Sequence, residues 1–135
     1  VVPTLQELTG SWTLVDAKVE FENGEQKDIY GPSPSGSIMF ADNRMMAVLT
    51  SSARLPSAAP DELFRTMMAY TGTFKLQGAE LTINVDTAWT PSWVGTTQKR
   101  SASLDDAGLL SLRTEKQGHP LYPGQQVVGL LTWRK

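Results

Sequence analysis

Glu80-Leu81-Thr82-Ile83-Asn84-Val85-Asp86 alternates polar and apolar residues without a break, and Lys75-Leu76-Gln77-Gly78-Ala79 precedes it. Side chains of a strand point to opposite faces in turn, so Leu81, Ile83 and Val85 share one face while Thr82, Asn84 and Asp86 share the other. With Gly72 to Leu76 as its partner, this stretch predicts a β-hairpin about Gln77, Gly78 and Ala79. One face is suited to a core and the other to water.

The same period recurs on both sides of the hairpin. Residues 12–21 first place Trp12 and Leu14 on one face, then change phase to Val15, Ala17, Val19 and Phe21, which predicts a β-bulge near Leu14. Asn23-Gly24 is a favoured hairpin turn, leading to a second strand over residues 26–30. Gly31-Pro32-Ser33-Pro34-Ser35-Gly36 cannot continue a ladder, because two prolines remove donors. Residues 37–40 are short and apolar, Asp42-Asn43 turns the chain, and Met45, Met46, Ala47, Val48 and Leu49 follow in succession. A strand apolar on both faces is expected to meet the interior with one face and a covering helix with the other. Residues 98–104, 109–114 and 126–133 complete the strands, with a turn at residues 105–108 and a longer loop at 115–124 holding Gly118, Pro120 and Pro123.

Helical signal is confined to two places. Thr4 is a suitable N-cap for a turn at Leu5-Gln6-Glu7-Leu8. Residues 57–70 predict a helix of about three turns: Pro60 suits a first turn, Asp61 and Glu62 face its positive end, and Leu63, Met67 and Tyr70 recur at helical spacing.

About eight to ten strands with no helix between most neighbours predict an all-β fold, a single antiparallel barrel over residues 1–135 with a short helix across one opening. An eight-stranded interior holds either side chains or one small ligand, so a filled barrel or a two-sheet sandwich stays open as the alternative. The 135-residue length suits one domain. With no cysteine, a disulfide framework, a thiolate metal site and a cysteine nucleophile are excluded. The net charge of −2 is spread along the chain, and no basic patch speaks for nucleic acid or a membrane surface as partner. No apolar run approaches the roughly 20 residues of a membrane span, and Val1-Val2-Pro3-Thr4 has no basic leader region, so a cytoplasmic location is expected.

Five stretches together carry a family likeness. Leu8-Thr9-Gly10-Ser11-Trp12-Thr13-Leu14-Val15 looks like the Gly-x-Trp opening of lipocalin-type barrels. Joined with Tyr30 to Gly36, Met67 to Gly72, Pro91 to Arg100 and the closing Leu131-Thr132-Trp133-Arg134, it resembles the lipocalin-like domain family of small bacterial and fungal proteins over nearly the whole chain. The resemblance implies a calycin-type barrel, closed or nearly closed, with a short helix over one opening. It also implies that Trp12 packs beneath the calyx with Arg134 covering it. Similar calyx folds include carriers of hydrophobic molecules and cofactor-free cyclases and isomerases.

Candidate ligand-pocket residues are Met39, Met45, Met67 and Met68, since thioethers adapt to varied apolar shapes, and Trp89 and Trp93, whose rigid rings offer contact area at a pocket mouth. Gln98 shares a strand face with Arg100, and Asn84 shares one with Asp86. If the barrel brings either set inside, Arg100 would hold a carboxylate, enolate or phenolate; on a wet surface it would instead pair with Asp86 or Glu80. Tyr30 and Tyr70 stand beside the Gly-Pro loop and the predicted helix end, where a hydroxyl would orient a carbonyl or give a proton, or else cap the core. Tyr30, Tyr70, Asn84, Asp86 and Arg100 are therefore the candidate catalytic set. His119 is a lone histidine and makes no conventional zinc site; service as a base requires its loop to fold over the opening. No serine stands in a Gly-x-Ser-x-Gly elbow, no nucleotide-binding loop is present, and neither a metal nor a cofactor is expected.

Three functions fit. The first is binding of a hydrophobic or amphipathic small molecule in the barrel. The second is a cofactor-free cyclase or isomerase for a polyketide-, terpenoid- or fatty-acid-like substrate, in which shape and exclusion of water carry the chemistry. The third is a structural or oligomerisation barrel, for instance a homodimer joined through the apolar helix face.

Overall fold

The computed structural model describes residues 1–119 and 122–135. Ten strands are described: β1 (Gly10–Glu20), β2 (Gln26–Asp28), β3 (Ser35–Ala41), β4 (Arg44–Thr50), β5 (Met67–Gln77), β6 (Glu80–Ala88), β7 (Thr97–Leu104), β8 (Leu110–Thr114), β9 (Gln117–His119) and β10 (Tyr122–Arg134). They form one antiparallel sheet in the order β2-β1-β3-β4-β5-β6-β7-β8-β10-β9. β1 also pairs with β10, from Thr13↔Arg134 to Glu20↔Val128, and this closes eight strands into a barrel. The short β2 and β9 extend the hairpins of β1 and β10 beyond the closed wall.

The barrel has two unlike ends. β1 rises from the lower end, where α1 (Leu5–Leu8) leads into it, so every hairpin turn at residues 42–43, 78–79 and 105–108 lies low. Thr4 and Glu7 form a reciprocal capping box on α1, and Leu8 is fully buried under the barrel. Trp12 is buried beside it and donates its indole N–H to the Leu8 carbonyl at 2.9 Å. With Leu14, Phe40, Met45, Phe74, Leu81, Leu110 and Trp133 these residues make an apolar plug. The tryptophan is covered from the neighbouring position to the one expected: Lys135, not Arg134, sets its ammonium 5.0 Å from the Trp12 ring and donates to the Glu7 carbonyl at 2.7 Å. Strand alternation explains the exchange, because Trp133 points into the core and Arg134 must point out.

The phase change in β1 is real: a bulge between Leu14 and Asp16 lets Trp12, Leu14, Ala17 and Val19 all face inward. Other expectations change. The helix is α2 (Pro60–Arg65), six residues long with none buried, and Met67 already begins β5. Ladder pairing overrides helical spacing here: Met67 to Tyr70 pair with Thr50 to Ala47, and Thr66 ends the helix by donating its hydroxyl to the Glu62 carbonyl at 2.8 Å. Nor does a helix cover the outer face of β4; Met46 and Val48 are half-exposed there, as is Met39 on β3. The expected loop at residues 115–124 contains β9, which pairs back on β10 through Tyr122↔His119 and Val127↔Gln117, while Pro120 lies outside the described residues.

Candidate functional site

Above the plug the barrel keeps a small cavity, with about 40 Å³ open to the centre of a water-sized sphere. Its wall is built from inward positions of successive strands: Ile38, Ala47, Leu49, Met68 and Tyr70 on one side, Leu112, Val127, Leu131 and Trp133 on the other. Polar side chains gather at the upper rim. Tyr30, Thr114, Gln117 and His119 border the cavity there, with Arg100 in the wall between Leu81 and Thr114.

Arg100 is the one charged side chain buried in the barrel among the described residues, only 6% exposed. Inward placement follows from the alternation of β7, in which Arg100 and Ala102 are buried while Lys99, Ser101 and Ser103 face water. Its Nη1 donates to the Lys99 carbonyl at 3.0 Å, and its guanidinium carbon lies 6.0 Å from the centre of the Trp93 ring. No carboxylate pairs with it among the described residues. The expected surface alternative is thereby corrected. Asp86 instead binds Arg44 at 2.7 Å and accepts from the Thr71 hydroxyl at 2.6 Å, contacts that hold its carboxyl below the ordinary carboxylate range, and Glu80 faces solvent.

Tyr30 and His119 meet across the rim. The Tyr30 hydroxyl lies 3.5 Å from His119 Nε2, the long end of hydrogen-bonding distance, and the two rings stand edge to face with centroids 6.2 Å apart. Burial raises the Tyr30 phenol well above its ordinary range and pushes the His119 imidazole down to about 4. Both are neutral at pH 7. With the ring proton on Nδ1, Nε2 can accept the phenolic proton. The pairing arises because β9 folds back on β10, which sets His119 at the edge of the cavity.

Of the candidate catalytic residues, the barrel therefore gathers Tyr30, Tyr70 and Arg100 around one cavity. Asn84 and Asp86 stand outside, since Leu81, Ile83 and Val85 take the inward positions of β6; Asn84 accepts from the Thr97 hydroxyl at 3.0 Å on the surface. Of the pocket candidates, only Met68 borders the cavity. Met45 is inward but sits in the plug, Met67 is only partly buried one position out of phase with Met68, and Met39 lies outside. Trp89 and Trp93 pack edge to face at 5.1 Å, and Trp93 meets Tyr70 at 5.2 Å, so the pair fastens the rim behind the cavity wall. Gln98 donates to the Thr96 hydroxyl at 2.9 Å and is similarly displaced from the lining. Thr114 and Gln117 carry no sequence signal that singles them out; only barrel closure brings them to the rim.

Larger hollows on the outer surface include a polar cleft of about 500 Å³ between residues 51–55 and α2, and an apolar groove of about 400 Å³ over Met39, Met46, Val48 and Trp89. Both are broadly open to solvent. Among the described residues no cluster of three or more His, Asp or Glu is placed to hold a metal ion, and no helix is long and apolar enough to cross a membrane.

Residues 9–135 match the family model described as a lipocalin-like domain. A search of curated proteins gives no match. Among solved structures, a lipocalin-like protein from Bacteroides uniformis is similar at 19% identity, covering 96% of this chain and 98% of that one with a TM-score of 0.48.

Proposed function

The chain belongs to the lipocalin-like domain family, and from that premise we propose that its barrel binds one small amphipathic molecule in the cavity above the plug. The observation that carries the reading is the division of the interior: a wholly apolar lower end, and an upper cavity with apolar walls to which Arg100, Tyr30, Tyr70 and His119 contribute polar atoms. Binding sites for small molecules share that composition, mostly apolar surface with a few fixed polar groups. In its closed form the cavity holds only a few waters, so a larger guest enters by displacing the rim, where Met68 is the most readily rearranged side chain.

Native mass spectrometry of protein purified from its own organism, followed by denaturing extraction, tests the proposal. One small molecule retained per chain, and lost from an Ala47→Val variant that fills the wall, is the expected result. Retention undiminished by Ala47→Val would place the guest elsewhere. A second reading, a cofactor-free isomerase or cyclase, is favoured by the Tyr30–His119 contact, which offers a neutral proton donor and a neutral acceptor at the same rim. For that reading the extracted molecule should reappear rearranged at unchanged mass after incubation with fresh protein, and Tyr30→Phe should slow the conversion.

A further inference from the structure

The geometry points to an anionic head group on the guest, a carboxylate or an equally compact acid, held by Arg100; this rests on the binding reading above. Three observations converge. First, a buried guanidinium carries five N–H donors, and the contacts described use one of them, on the Lys99 carbonyl. Second, no Asp or Glu among the described residues borders the cavity, so the described wall supplies no counter-charge. Lys18 also borders it, but alternation with the inward Ala17 and Val19 turns its side chain to the outside. Third, Trp133 in the same wall is 1% exposed and its Nε1–H has no hydrogen-bond partner among the described residues.

The described lining therefore offers neutral acceptors on Tyr30, Tyr70, Thr114, Gln117 and His119 but no anionic one to face the guanidinium. An ionised carboxylate is an acceptor alone, with two oxygens that match the guanidinium fork. An arginine kept in a barrel core for stability would be expected to face a carboxylate from the protein itself, since an unpaired buried charge is costly. Here that position is left to the guest. The apolar remainder of the molecule would lie along Leu49, Leu112 and Leu131, which line the same cavity.

Isothermal titration with straight-chain monocarboxylic acids of about four to ten carbons, each beside the alcohol of equal length, reads this directly. Acids should bind at least about 10-fold more tightly than the matching alcohols. Arg100→Met should erase the preference, and Arg100→Lys, which keeps the charge without the fork, should retain part of it. Removing the unpaired charge while keeping an unbranched apolar stem should also raise the melting temperature of ligand-free Arg100→Met above that of the parent. Equal affinities for acid and alcohol, or a preference that survives Arg100→Met, overturn the anionic head group and leave the cavity reading intact. Failure of both series to bind overturns the two together. A lower melting temperature for Arg100→Met with the acid preference unchanged assigns the arginine to the scaffold and also overturns the inference.

Discussion

Burial pushes the His119 imidazole down to about 4 from an ordinary value of 6.5, so the folded protein keeps the ring neutral where an unfolded chain protonates it. Between those values the unfolded state binds more protons, and stability is fully present above about pH 6.5 and is lost as the pH falls toward 4. His119→Phe removes that titration. Urea midpoints measured for both proteins between about pH 6.5 and 4.5 should therefore fall more for the parent, and parallel curves would show that the ring is not held neutral. Glycine at position 72 answers to a different constraint. A Cβ there would stand 2.1 Å from the Asn84 carbonyl oxygen and 3.1 Å from the Val85 Cα, both backbone atoms of β6 that cannot step aside. Gly72→Ala should cost about 2–3 kcal/mol in chemical denaturation, whereas Gly78→Ala meets no atom within 4 Å and strains only its own positive φ.

The hairpins show how far local chemistry specifies the ladder. Asp42 and Asn43 both have positive φ, 52° and 66°, which is the geometry of a tight type I′ turn. Asn43 pays a conformational cost there that glycine would not. Asn43→Gly should stabilise the protein by roughly 0.5 kcal/mol while leaving the Asn43 carbonyl's bond to the Phe74 amide in place, since that bond is made by backbone. A fall in the thermal midpoint would instead assign a role to the asparagine side chain. The helix predicted over residues 57–70 teaches the reverse lesson. Pro60, Asp61 and Glu62 do start a helix, but residues 67–70 lie against an open edge of β4, and four additional ladder pairs outweigh a weak helical preference.

The barrel as a body has a rigid lower half and an upper half whose cavity must enlarge to admit a guest. Hydrogen exchange should show this division. Amides of β1 near Trp12, β10 near Trp133 and β8 near Leu110 are expected to exchange slowest, those of β9 and of residues 28–31 fastest, and ligand should protect the second group most. Uniform protection on binding would argue against opening at the rim.

The alternation of residues 80–86, the phase change in residues 12–21 and the turn dipeptides made the strands legible from sequence, because side-chain facing and turn conformation are settled between near neighbours. Tyr30, Tyr70 and Arg100 could be named as candidates from residue type and from the loops and strand face beside them. Their meeting was not legible, and neither was the exclusion of Asn84 and Asp86. Which face of each strand turns inward, and whether the segment around His119 folds over the rim, are fixed by closure of β1 on β10, a pairing between the two ends of the chain. Contacts at that separation exist only once the whole sheet has curled, so the cavity and its unpaired arginine belong to the tertiary structure alone.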